Sequence, residues 1–408
     1  FWVGSLWKMY SRTGEPEFTE FANAWNEIIL GEEKVDNHDR GFVYYNSSSL
    51  GYEITGNPLY LQSAREASEQ LVWMYDYGGT GLIPIYTSSQ VSIIDTMMNL
   101  QVLWWMGQFE DANPRFYEVA LAHAEKTQEH FIRPDGSTWQ SVHFDKETGG
   151  VLSKETRQGL DHSDTSTWSR GQAWAIYGFS EAARATGLEE FLTTAERVSD
   201  FYIDNLPPDL VPWFDFSPSI VENPNAHLKD SSAASIAAAG LLNLAEIHPD
   251  AEATQRYREA AEAIVQSLIA NYLAPFGDET VSVPGMLIHG CWFWGLPERR
   301  DSELIWGTYY LIDALERLMT VPEIDDFRMT NLTTEKQNVS EGDQLRFEAH
   351  VSAHRLEFAD VRLDLSQLGE GGGVLPNEFN RATGEAIWIV DSAHPTSSDI
   401  VVRLTLAD

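Results

Sequence analysis

The sequence predicts an α chain with an accessory β part: an (α/α)6 barrel of helical hairpins over residues 1–321, then a small immunoglobulin-like β-sandwich over 322–408. Three observations carry this. A helix–turn–helix unit recurs along the first three-quarters of the chain, and the two helices of each unit differ in composition. After Pro322 the pattern changes from helical to extended.

The turns of the repeat are YSRTGEPEF around Gly14, YEITGNPLY around Gly56, WMGQFEDANPRFY around Gly107, ARATGLEEF around Gly187 and AEIHPDAEATQRY around Pro249. Gly and Pro there act as helix stop signals. First helices are rich in aromatic and small residues; second helices are more charged, as in YREAAEAIVQSLIANYL from Tyr257 to Leu273. Inner helices buried all round and outer helices wet on one side give that contrast. Inner helices are predicted near 1–13, 40–55, 90–107, 167–186, 230–247 and 302–319. Outer helices are predicted near 17–30, 59–76, 115–132, 189–204 and 253–273. Six inner helices against five outer ones place the missing outer helix upstream of Phe1, because FWVGSLWKMY already reads as helix interior.

Beyond Pro322, DQLRFEAHVSA, DVRLDLSQL, GEAIWIVDS and DIVVRLTLAD alternate or cluster β-formers between turn residues. With 16 acidic against 7 basic residues and no evident aromatic groove, this segment reads as a structural spacer. Carbohydrate binding is its alternative role.

Composition sets limits on partners. A net charge of −35, from 62 acidic and 27 basic residues, argues against nucleic acid and anionic membranes, both of which need a basic surface. An anionic small substrate stays compatible, since one or two arginines in a pocket set the local field. An acidic surface also fits a salty habitat. The single cysteine, Cys291, excludes an intramolecular disulfide, and no stretch is apolar enough to span a bilayer. No signal peptide is visible; the expected compartment is periplasmic or secreted, with cytoplasmic as the alternative. Nothing in the pattern specifies an oligomeric state.

The stretch from Asp161 to Phe179, DHSDTSTWSRGQAWAIYGF, opens with polar residues suited to helix capping and continues as a helix. Arg170 and Trp174 lie four apart on one face. A guanidinium fork beside an indole suits a sugar acid; the alternative is a core helix with Arg170 in a structural ion pair. Asp95 lies in SQVSIIDTMMNLQVLWWMG, predicted as a nearly uncharged helix, where burial raises a carboxyl pKa and makes a general acid. Asn99 is one turn on. A core Asp satisfied by hydrogen bonds is the competing reading. Asp39, in DNHDRGFVYY beside His38, is read on its own as a helix cap. GSTWQSVHFDKETGG, from Gly136 to Gly150, reads as a hairpin or loop at the barrel mouth and carries Gln140. No spacing matches a zinc or calcium site, and there is no phosphate loop and no nucleophilic serine elbow, so no metal or cofactor is expected.

HDRGF, IIDTMMNL and STWSRGQAWAIYGF together resemble the unsaturated glucuronyl hydrolases of glycoside hydrolase family 88. The likeness runs from Phe1 to about Thr320 and takes in KDSSAASIAAAGLL and ELIWGTYYLIDALERL. Family 105 shares the barrel but usually differs where this chain has RGQAW. The resemblance implies an (α/α)6 barrel needing no cofactor. Its implied partner is an oligosaccharide ending in a uronic acid unsaturated between C4 and C5. It implies that Asp95 is the general acid/base, that Asp39 is the second carboxylate, and that His38, Gln158, Arg170 and Trp174 contact substrate. Tyr86 stands where the family pattern has Trp, and Gln140 where many members have His, so substrate identity departs from the pattern before reaction type does. Ulvan, glycosaminoglycans, gellan and xanthan all yield such ends; the acidic balance points to ulvan.

Three alternatives compete. A lyase on the same barrel needs a Tyr or His base, and an ordinary glycosidase needs two carboxylates flanking a saturated acetal. A non-catalytic sugar-binding scaffold needs neither Asp39 nor Asp95.

Overall fold

The structure, a computed structural model, describes residues 1–109, 111–156, 166–217, 219, 222, 227–275 and 286–319, and then 323–333, 344–352, 360–364, 378–380, 385–391 and 403–407. The chain divides into two compact units, Phe1–Leu315 and Glu316–Asp408.

The first unit is mostly helical. Its helices are α1 (Trp2–Thr13), α2 (Pro16–Ile29), α3 (Arg40–Tyr44), α4 (Leu50–Thr55), α5 (Pro58–Gly78), α6 (Thr96–Asn99) and α7 (Gln101–Met106). They continue as α8 (Arg115–Phe131), α9 (Ser169–Thr186), α10 (Glu189–Asp204), α11 (Ser231–Ile247), α12 (Ala251–Asn271) and α13 (Ile305–Met319). Turns Gly14, Gly56 and Gly187 take positive φ near 68° and end α1, α4 and α9, a conformation a side chain resists. Gly107 does not; its φ is −65°.

Burial follows the predicted alternation. Every residue from Ser169 to Phe179 of α9 and from Ser231 to Ala245 of α11 is buried, whereas α12 buries only Tyr257, Ala261, Ile264, Val265 and Leu268. The helix α11 packs along both α9 and α12, and α10 packs on α9. Inner and outer layers of this kind are consistent with the expected barrel.

Two predicted inner helices are broken. Between α3 and α4 runs a π-helical turn, Tyr45–Ser49. The predicted helix 90–107 begins instead as a strand, β1 (Val91–Ile93), and becomes helical only at Thr96. Its partner is the insert: β2 (Ser141–Phe144) and β3 (Val151–Glu155) form a hairpin, giving an antiparallel sheet in the order β1-β2-β3. Pairing across some fifty residues overrides the local helical pattern.

In the second unit the described strands are β4 (Glu323–Asn331), β5 (Gln344–Ser352), β6 (Asp360–Asp364), β7 (Glu378–Asn380), β8 (Glu385–Asp391) and β9 (Arg403–Ala407). They pair as a sheet in the order β4-β5-β8-β7 and a second of β6-β9. Phe347 and Trp388 face each other across β5 and β8, and both are fully buried.

Candidate active site

The N-terminal ends of the inner elements meet one another. Phe1, just before α1, packs on Phe42 of α3 at 5.1 Å and on Trp306 of α13 at 6.3 Å. Arg170, in the first turn of α9, pairs with Asp230 just ahead of α11. His38, ahead of α3, meets Thr96, the first residue of α6. The positive ends of the long inner helices thus share one region, a field that favours an anion.

Asp95 occupies the join between β1 and α6. The sheet sets its approach: the Ile94 amide donates to the Gln140 carbonyl at 2.9 Å. Its Oδ2 is buried and, among the described residues, has no hydrogen-bond partner. Burial, with the charge of Asp39 added, pushes the Asp95 carboxyl up to about 7, against a smaller opposing pull from its own backbone amide and from Arg170. Such a group carries a proton near neutrality and can give it away.

Asp39 stands at the N-cap position of α3 without capping it. Its side chain makes no cap hydrogen bond; it is 47% exposed and lies 3.4 Å from His38 Nε2. The capping reading therefore fails. His38 is buried, which lowers its pKa against the raising effect of Asp39, so the ring is neutral at physiological pH. Its Nδ1 lies 2.9 Å from Thr96 Oγ1. With Nε2 facing a carboxylate, the proton belongs on Nε2 and Nδ1 accepts from the Thr96 hydroxyl.

Asn99, singled out as a neighbour of Asp95, is the fastener between the two carboxylate segments. Its Oδ1 accepts from the Phe42 amide at 2.6 Å and its Nδ2 donates to the Asp95 carbonyl at 3.3 Å. Gly41 lets the segments close, since a Cβ there would lie 2.1 Å from the Asn99 carbonyl oxygen.

Arg170 and Trp174 depart from the sequence expectation. Arg170 Nη1 donates to Asp230 Oδ2, to the Cys291 carbonyl at 2.8 Å and, at 3.4 Å, to Ser232 Oγ; Nη2 donates to the Trp292 carbonyl at 2.8 Å. The guanidinium also lies 4.5 Å over the Trp168 ring. The fork expected to grip a sugar carboxylate is thus closed on the protein, as in the structural ion-pair alternative. Trp174 is 3% exposed and packs on Phe42 and Tyr310 with centroids 5.1 and 5.4 Å away, so it is floor, not an open platform. The N-cap of α9 is Trp168, which makes no side-chain cap bond; of the polar run ahead of it, residues 161–165 lie outside the described residues.

Tyr86 is 47% exposed and follows Ile85, whose carbonyl accepts from the His38 amide at 3.2 Å. Asp36 clasps the next residue: its Oδ1 accepts from the Thr87 amide and its Oδ2 from the Thr87 hydroxyl. Gln140 is 6% exposed, and its carbonyl holds Ile94. Gln158 lies outside the described residues. Sequence reasoning missed Asp230, Thr96 and Asp36, whose partners are 60, 58 and 51 residues away. The one available signal was Asp230 opening KDSSAAS, a cap-like position that its side chain does not use for capping. Among the described residues no group of three or more His, Cys, Asp or Glu side chains could hold a metal ion.

The mostly helical unit, with two interacting carboxylates just ahead of α3 and α6, is consistent with a barrel-type carbohydrate hydrolase. Residues 1–277 match the model of Glycosyl Hydrolase Family 88. The chain is 32% identical over 331 residues to the unsaturated glucuronyl hydrolase of Bacillus sp. strain GL1, covering 78% of this chain and 85% of the relative. It is 31% identical over 328 residues to the unsaturated chondroitin disaccharide hydrolase of Streptococcus pyogenes serotype M1, covering 78% and 79%. A crystal structure of an unsaturated glucuronyl hydrolase specific for heparin matches with a TM-score of 0.70 at 30% identity, over 78% of this chain and 84% of that one. The chain belongs to glycosyl hydrolase family 88, the unsaturated glucuronyl hydrolases, enzymes acting on unsaturated uronic acid oligosaccharides.

Proposed function

We propose that this chain removes the 4,5-unsaturated uronic acid from the non-reducing end of lyase-generated oligosaccharides by hydrating its vinyl ether double bond. Asp95 gives its proton to C4, leaving oxocarbenium character at C5. Water adds at C5 and returns its proton to the Asp95 carboxylate. The resulting hemiketal opens to a ketone at C5, the freed hydroxyl at C1 makes a hemiacetal, and that collapses to an aldehyde as the remaining saccharide departs. One water is consumed and one carboxyl serves as acid and then base.

The observation that carries this reading is Asp95 itself: a carboxyl held up to about 7 by burial and by Asp39, with an oxygen free of partners among the described residues. Asp39 and His38 help hold substrate and water in this account, and the half-exposed Tyr86 contacts sugar at the mouth. Arg170 contributes charge from its place beside Asp230, and Trp174 the apolar floor. The acidic balance supports a marine polymer such as ulvan as the source. The six described strands of Glu316–Asp408 support an immunoglobulin-like accessory sandwich.

Incubation with unsaturated disaccharides from ulvan, chondroitin and heparin, followed by the ultraviolet absorbance of the conjugated double bond, tests the proposal. Absorbance should fall, fastest with the ulvan product. A rise would mean lyase chemistry, and no change with any of the three would remove the hydrolase reading.

A further inference from the structure

Arg133 joins the two arms of the site. It follows α8 and sits half-buried in the turn RPDGS, where the Arg133 amide donates to the Ser137 carbonyl at 2.8 Å and Asp135 Oδ1 accepts from the Ser137 amide and hydroxyl. Gly136, at φ 89°, fits there because a Cβ would lie 2.4 Å from the Arg197 carbonyl oxygen. From this turn the guanidinium reaches in two directions. Its Nη1 donates to Ser137 Oγ at 3.1 Å and to the Thr138 carbonyl at 2.9 Å, and its plane lies 3.9 Å over the Trp139 ring. On the other side Nη1 donates to Thr167 Oγ1 at 3.0 Å and Nη2 to the Ser166 carbonyl at 2.9 Å.

The first group of contacts holds the rail on which Asp95 rides. Trp139 is followed by Gln140, whose carbonyl receives the Ile94 amide one residue before Asp95. The second group holds the lead-in to α9. Thr167 is followed by Trp168, over which the Arg170 guanidinium is stacked. A planar fork with donors on several edges can span both arms at once; a lysine ammonium, a point donor, cannot.

We propose that Arg133 is a positioning residue for the hydrolysis: it fixes the strand that aims Asp95 against the helix that carries Arg170. The proposal rests on the reading of Asp95 as the proton donor. With the staple cut, Asp95 moves toward water, loses part of the burial that keeps it protonated, and is misaimed. Among the described residues, Asp39, with His38 beside it, and Arg170 act on the charge of Asp95, while Asp135, Lys154 and Arg197 lie near Arg133 and Asp215 accepts from the Thr167 amide.

The test is kcat and KM against pH for Arg133→Lys and Thr167→Val on an unsaturated disaccharide, with melting temperature beside them. Thr167→Val removes one acceptor of the staple and leaves Thr138 and Ser166 to hold Arg133, so it reports even if Arg133→Lys does not fold. Arg133→Lys should lower kcat on the order of tenfold to a hundredfold, as misplacement of a reacting group does, with KM nearly unchanged. The alkaline limb of kcat/KM should move to lower pH, with Thr167→Val shifting the same way by less. A lowered melting temperature with wild-type kcat per folded molecule and an unmoved limb, in either variant that folds, would make Arg133 merely structural. Asp95→Asn separates the two ideas. If it keeps turnover, the acid assignment has failed; if it is dead while the staple variants behave as wild type, only the staple has failed.

Discussion

The Phe42 amide donates to Asn99 Oδ1 at 2.6 Å, and this bond ties the segment carrying Asp39 to the segment carrying Asp95. Gly41 lies against the Asn99 backbone at the same crossing, and His38 against Thr96 makes a third tie. The like-charge effect that lifts Asp95 depends on this crossing, because it sets how near Asp39 comes.

Gly41→Ala places a methyl where the Asn99 carbonyl oxygen is 2.1 Å away, so the two segments must separate. Overpacking of this sort costs about 1–3 kcal/mol. The variant should melt lower, and kcat should fall more than KM rises. Wild-type kinetics with wild-type melting would mean that the crossing does not set the site.

The pH dependence follows from Asp95. For catalysis the carboxyl must carry its proton, so kcat/KM should decline as pH passes about 7. Asp39→Asn removes the neighbouring negative charge and should shift that decline to lower pH in whatever activity remains. Stability moves in the same sense. The native state keeps a proton that the unfolded chain releases, so this group's contribution weakens as pH rises from the ordinary carboxylate range to about 7. Asp95→Asn should therefore flatten the loss of melting temperature over that window. An equally steep loss in Asp95→Asn would place its origin elsewhere.

Arg170 and Asp230 are buried at 3% and 0% side-chain exposure, and removing either leaves the other charged and unpaired. Breaking such a pair costs about 3–5 kcal/mol. Asp230→Asn and Arg170→Met should each lower the denaturation midpoint sharply, and the double variant by less than the sum. Simple additivity in a urea titration would show that the pair is not coupled.

Much of this was legible in the sequence because its causes are local. Gly14, Gly56 and Gly187 announce helix ends since a positive φ suits glycine, and the apolar run Ser231–Ala245 can only be an inner helix. Asp39 and Asp95 stand out as candidates through the motifs around them, and the burial of the Asp95 carboxyl follows from its uncharged neighbours. What stayed hidden is long-range. The strand Val91–Ile93 exists because residues 141–143 pair with it, which no window around Asp95 reveals. The occupation of Arg170 depends on Asp230 and on the carbonyls of Cys291 and Trp292, more than a hundred residues further on. A helical face shows that Arg170 and Trp174 lie together; it does not show that both face protein.

The central claim is that Asp95 donates the proton that starts hydration. Asp95→Asn keeps size and polarity while removing the acid, so circular dichroism and melting should report a folded protein. Turnover of an unsaturated disaccharide, followed by loss of double-bond absorbance, should fall at least a hundredfold to ten-thousandfold, the range for a lost general acid. A folded Asp95→Asn protein with activity within a few-fold of the parent would contradict the account.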